Sequence, residues 1–122
     1  MIDRNWAMEF AEKWIAVFNS RDLERIFSLY DDAFTMTSPY ILERMGDESG
    51  MLRGKEQVKP YWEMSLATEP PITFELIEVF TGVSSIVIYY KSVGRKLVCE
   101  SLTFNKQGKI VSGVSQHGPS VP

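Results

Sequence analysis

Apolar residues recur at Trp6, Phe10, Trp14 and Phe18, every fourth position, flanked by Ala7, Ala11 and Ile15. That spacing predicts one broad apolar face of an amphipathic helix, with Asp3 or Asn5 placed to cap it. Asn19 or Ser20 then stops this helix and caps a second, because Leu23, Ile26, Phe27 and Tyr30 repeat at i, i+3, i+4 and i+7. Asp31-Asp32 marks its end. Phe34 to Ser38 alternates and predicts a short strand ending at Pro39. From Tyr40 to Gly54 the period is lost. Gly46, Asp47, Ser49 and Gly50 punctuate a long loop, of the kind that often forms a functional lid. A third helix is predicted from about Lys55 to Leu66, with Val58, Trp62 and Leu66 inward. Pro60 lacks a backbone donor, so it predicts a kink or a start later than Gly54. Pro70-Pro71 closes the helical part.

The remaining chain reads as strands. Ile72 to Phe80 alternates with a phase shift near Ile77-Glu78, which predicts a bulge. Ser84 to Lys91 is apolar on both faces, with Ile86, Ile88 and Tyr90 on one and Val87 and Tyr89 on the other. Turns at Ser92 to Arg95 and Asn105 to Gly108 bound the strands Lys96 to Phe104 and Lys109 to His117. Connections this short predict antiparallel pairing. The order is helix, helix, strand, helix, then four strands, without repeats, giving one α+β domain over residues 1–122. A sheet covered by helices on one face and still apolar on the other predicts a homodimer packed through the outer face.

One position breaks the strand pattern. Val98, Leu102 and Phe104 form the richer apolar set of their strand and should face the interior, and Glu100 shares their side. An ionised carboxylate buried without partners costs several kcal/mol. Glu100 is therefore expected to be paired, kept protonated, or set beside a wet cavity. The first of these is the structural alternative to a functional acid with a raised pKa.

Composition narrows the classes. With 44% hydrophobic and 24% charged residues the chain reads as a soluble globular domain. A net charge of -3 and the lack of a basic stripe argue against nucleic acid. Glu9, Glu12 and Lys13 interrupt the first apolar run, so no membrane span or secretory signal is expected. The single Cys99 excludes an intrachain disulfide and fits a reducing cytoplasm. One Cys and one His do not make an ordinary zinc site, and Glu43, Asp47 and Glu48 lack calcium-loop spacing. No glycine-rich phosphate cradle follows a strand. Neither metal nor cofactor is expected.

The runs Trp14 to Leu23, Ser38-Pro39, Leu52 to Val58 with Tyr61-Trp62, and Phe104 to Val111 together resemble the nuclear transport factor 2-like superfamily. The nearest branch is SnoaL-like and ketosteroid-isomerase-like. The resemblance implies a cone: a curved, mixed, mainly antiparallel sheet wrapped around three N-terminal helices, with a pocket at the open end. It also implies frequent homodimers, and activities including isomerisation, dehydration, aldol cyclisation and epoxide hydrolysis beside plain binding. In the isomerases an oxyanion hole of a tyrosine and a protonated acid faces a carboxylate base. By resemblance the tyrosine's position falls on Trp14, the base's on Ser38 and the acid's on Glu100. Ser38 does not remove a proton from carbon unaided, so that mechanism is not expected to carry over whole. His117 matches an aromatic pocket position.

The candidate site is thus Glu100 as acid or oxyanion donor and His117, the only histidine, as a mobile base oriented by Glu100. Trp14, Ser38, Tyr40, Trp62, Tyr90, Leu102 and Ser115 are expected to line the pocket. Against this, aromatic residues at helical spacing are usually core, and His117 lies near a chain end that commonly frays. Ser115 has no nucleophile elbow around it. The expected function is a pocket for a small apolar organic ligand with cofactor-free proton-transfer chemistry. The alternative is a non-catalytic ligand-binding or protein-interaction module.

Overall fold

The computed structural model describes all residues, 1–122. Helix α1 spans Arg4–Ser20, and the Asp3 side chain caps it by accepting from the Trp6 amide at 3.0 Å. Its buried face is Ala7, Ala11, Trp14, Val17 and Phe18. Trp6 is 39% exposed and Phe10 only half-buried. The reason is geometric: each four-residue step overshoots a turn by about 40°, so Trp6 and Phe10 rotate off the face that Trp14 and Phe18 occupy. The two instead pack on Phe104, with ring centroids 4.9–5.2 Å apart.

Neither Asn19 nor Ser20 caps the next helix. Arg21 ends α1 in a left-handed conformation (φ 58°) and Asp22 caps α2, Leu23–Phe27, by accepting from the Arg25 amide. Helix α2 is one turn shorter than its spacing predicts, and Tyr30, Asp31 and Asp32 open strand β1, Tyr30–Thr37. Ser38 and Pro39 then start α3, Pro39–Met45, inside the predicted loop, and β2 covers Met51–Arg53. Helix α4 runs Gly54–Leu66 through Pro60, whose ring faces solvent. Its inward residues are Val58, Tyr61 and Trp62, while Leu66 is only half-buried. Gly54 takes φ +73°, and Gln57 Oε1 accepts from the Arg53 amide at 2.8 Å, closing the helix start.

Strands β3 (Glu75–Thr81), β4 (Ser85–Lys91), β5 (Lys96–Phe104) and β6 (Ile110–Ser120) follow. The strands form one curved, unclosed sheet in the order β2-β1-β6-β5-β4-β3, antiparallel except for the β1/β6 pair. The β3/β4 register slips between Leu76 and Glu78, where the phase shift predicts a bulge. Register then sets which residues share a row across the inner face. Ile86, Leu102 and Gly113 lie side by side, next Ile88, Glu100 and Ser115, next Tyr90, Val98 and His117. Val79, Ile86, Ile88, Val98 and Leu102 are buried under the helices together with Trp14, Ile26, Phe34 and Val58.

No helix is long and apolar enough to cross a membrane.

Candidate functional site

Strand β5 carries the site. Alternation puts Lys96, Val98 and Glu100 on one side, and all three line a cavity of about 380 Å³, within the range of small-molecule sites. Exposure falls along the strand from half-buried Lys96 to Val98 at 4% and Glu100 at 1%, so Lys96 marks the mouth and Glu100 the floor. Leu102, two residues deeper, is fully buried and does not line the cavity. Expected there, it belongs instead to the solid core beside Gly113, because the helices close on the sheet one row past Glu100.

The Ser115 hydroxyl donates to Glu100 Oε1 at 2.5 Å. Glu100 Oε2 is buried and has no hydrogen-bond partner, the one buried side-chain polar atom so placed. Burial pushes the Glu100 carboxyl up to about 7, against the opposing pull of Ser115 and of the nearby Tyr90 hydroxyl. The Tyr90 phenol interacts without reaching hydrogen-bond geometry. A carboxyl with its pKa near neutral pH, in the lining of a cavity and with one oxygen unpartnered, is equipped both to give and to take a proton.

Three buried phenols surround it. Burial raises the pKa of Tyr30, Tyr61 and Tyr90, with the Glu100 charge adding to each, so all three stay protonated donors. Tyr30 lies beneath the cavity, where its hydroxyl accepts the Trp14 Nε1–H at 3.1 Å. Trp14 lines the cavity, but its one donor is spent on Tyr30 and does not face a ligand. The phenol adjoining Glu100 in the cavity is Tyr90.

Ser38 is 2% exposed and is held as the N-cap of α3. Its Oγ accepts from the Tyr40 amide at 3.2 Å and from the Tyr61 hydroxyl at 3.3 Å. It stands at the cavity wall as a fixed helix cap. Trp62 contributes an edge to the wall while its ring packs among Phe27, Tyr30 and Phe34 at 5.0–5.6 Å. The opposite wall is Ile72 and Phe74, pinned by Asn19, whose side chain accepts from the Phe74 amide at 2.7 Å and donates to its carbonyl at 3.0 Å.

His117 lines the same cavity nearer the mouth. It stands opposite Val98, whereas Ser115 stands opposite Glu100. The pairing expected from sequence, an imidazole oriented by the Glu100 carboxylate, is not formed. Instead the ring lies 4.4 Å from that of Tyr40. Burial first, and then Lys96 and Arg44, lower the His117 pKa, with Glu43 opposing, so the imidazole is neutral near pH 7. Tyr40 also carries both cations: Arg44 Cζ lies 4.5 Å and Lys96 Nζ 5.4 Å from its ring centre.

The structure therefore brings Glu100, Ser115, Tyr90, Trp14, Trp62, Ser38, Tyr40 and His117 to one cavity and leaves Leu102 out. Sequence reading missed Tyr30, Phe74, Lys96 and Arg44. Lys96 was readable from its alternation with Glu100; Arg44 lay in an aperiodic stretch and gave no signal. No three His, Cys, Asp or Glu side chains converge as a metal site would need.

The family model of the SnoaL-like domain matches residues 11–113. A SnoaL-like protein of unknown function from Burkholderia thailandensis E264 is similar at 36% identity, over 97% of this chain and 98% of that one, with a TM-score of 0.92. More distant structures share the fold. One is SalBIII, an epoxide hydrolase/cyclase-like enzyme of pyran ring formation in the polyether salinomycin, at 18% identity over 97% and 95% of the chains and TM-score 0.72. Another is a putative ketosteroid isomerase from Kribbella flavida DSM 17836, at 12% over 93% and 78% and TM-score 0.69. No curated protein matches the chain significantly. With a family model along most of its length and a near-full-length relative, the chain belongs to the SnoaL-like domain family.

Proposed function

We propose that this protein is a cofactor-free proton-transfer enzyme of the isomerase, dehydratase or cyclase type, acting on a mainly apolar organic molecule. The observation that carries the reading is Glu100 Oε2, buried without a partner beside an aromatic cavity. Its carboxyl pKa of about 7 supports the same reading, because an acid/base works best with its pKa near the ambient pH. Ser38 holds the position of the family's separate base, so one carboxyl serves in both steps. With a carbonyl compound, ionised Oε2 takes a proton from the carbon next to the carbonyl. The electron pair moves onto the carbonyl oxygen, which accepts a hydrogen bond from Tyr90. Oε2 then returns a proton to the ligand, either the one it took or one exchanged with solvent, and no co-reactant is consumed. His117 and Tyr40 shape the entrance.

The test is exchange. A panel of cyclic and aryl ketones in D2O, followed by NMR, should show enzyme-dependent loss of protons next to the carbonyl. Glu100→Gln should slow this by about 10²–10⁴-fold, the usual reach of a general acid/base. Equal exchange by Glu100→Gln and the unaltered protein would overturn the assignment. The competing reading, a binding module, is favoured by the immobilised hydroxyl of Ser38 and the occupied indole of Trp14. It predicts ligands that bind and leave with no proton exchanged.

The lone thiol Cys99 supports a reducing, cytoplasmic setting. Exposed Ile77, Phe80 and Val83 on and beside β3 support a homodimer through the outer sheet face.

A further inference from the structure

The cavity has a polarity beyond what its acid accounts for. Lys96 and Arg44 both line it, both are half-buried, and neither has a carboxylate within 4 Å; the molecule's three ion pairs lie elsewhere. Arg44 Nη1 donates to Ser65 Oγ at 2.8 Å, and the rest of its guanidinium makes no protein hydrogen bond. Lys96 makes a single long contact of 3.5 Å, to the Tyr40 hydroxyl. Two like charges against one phenol ring repel each other, and most of their donors have no partner in the protein. Exposed Glu69 on the lining and exposed Glu43 near His117 are the acids of this rim, and neither is close enough to pair with Lys96 or Arg44. On a chain of net charge -3, two unpaired cations at the entrance to an apolar cavity form a local exception.

We infer that the ligand carries a carboxylate, held at the mouth by Lys96 and Arg44, while its apolar body extends down to Glu100. This inference rests on the cavity of Glu100 being a ligand site. Arg44 offers the remaining edge of a planar fork, which suits a carboxylate, and Lys96 offers a mobile point charge beside it. Lys96 and Glu100 are four positions apart on the strand, about 13 Å, so the ligand class is an elongated apolar acid with its reacting group remote from its carboxylate. The acid end also sets direction: a carboxylate driven to the floor would face Glu100 and lose its solvation there.

Calorimetric titration with three probes of one shape tests this: 4-phenylbutyrate, its methyl ester and 4-phenylbutylamine. The carboxylate should bind at least tenfold more tightly than the ester, and the ammonium weakest. Lys96→Met with Arg44→Met, which keeps the apolar stems, should abolish the preference, and Lys96→Arg should retain it. Glu100→Gln should keep the preference while losing proton exchange, so failure at the rim and failure at the floor are separate results. Equal affinity for acid and ester, a preference surviving the double variant, or no binding of any probe at millimolar concentration would overturn the inference.

Discussion

Glu100 couples the site to the stability of the molecule. Its pKa rises from an ordinary 4.5 to about 7 in the folded protein. Between those values the native state holds more protons than the unfolded chain, so stability falls as pH rises through this window and is level above it. The full shift corresponds to about 3 kcal/mol. Glu100→Gln removes the charge while keeping the shape. It should therefore flatten the pH dependence of thermal unfolding between pH 4.5 and 7, and raise the melting temperature at pH 8 by about 10 °C. A variant that melts with the original slope would show that Glu100 is not desolvated as described. Such a gain on removing a group is expected where a site is held at the expense of stability. Glu100 was legible from alternation alone, because a carboxylate among Val98 and Leu102 violates the strand's own pattern. Tyr30 was not. Its spacing from Leu23 fits a helix equally well, and only the early end of α2 makes it a strand residue under Trp14.

At the scale of the element, β5 and β6 grade the cavity from mouth to floor, and β6 leaves room for the acid. A Cβ at Gly113 would meet Met36 Sδ at 3.4 Å, Glu100 Oε2 at 3.5 Å and Leu102 Cδ2 at 3.5 Å. These are ordinary contacts, so Gly113→Ala should fold with little loss. Gly113→Val adds methyl groups into the same space, and overpacking of that kind costs about 1–3 kcal/mol. Urea unfolding should show that loss for Val and not for Ala, and proton exchange should fall with Val because Oε2 is displaced. Equal behaviour of the two variants would place the free oxygen elsewhere. The helix α3 shows where element prediction failed. The alternation predicts the end of a strand at Ser38-Pro39, yet a serine followed by proline is also a cap and a first helical residue. The chain continues into a helix because Ile41 finds buried contacts, and this places Arg44 at the mouth.

At the scale of the molecule, the outer sheet face sets the next question. Phe80 is 53% exposed and Ile77 46%, and Phe80 pairs across to Val87 on the same outward row. Light scattering on the eluting protein should give twice the 14.0 kDa chain mass at micromolar concentration. Phe80→Glu should shift it toward the monomer without unfolding it. A monomeric mass for the unaltered protein would remove the dimer proposal.

What the sequence determined by itself is the set of local choices: the period of the helices and strands, the bulge near Ile77, the turns after Lys91 and Phe104, and one acid on the wrong side of a strand. Those follow from forces that act within a few residues, where periodicity is an adequate record of which side meets water. What only the tertiary structure decided is depth. Whether Leu102 ends in solid core while Glu100 borders a hollow, whether His117 meets Glu100 or Tyr40, and whether Arg44 reaches Lys96 all depend on how helices close over a curved sheet. That closure is set by packing between residues far apart in the chain, and no pattern along the chain records it.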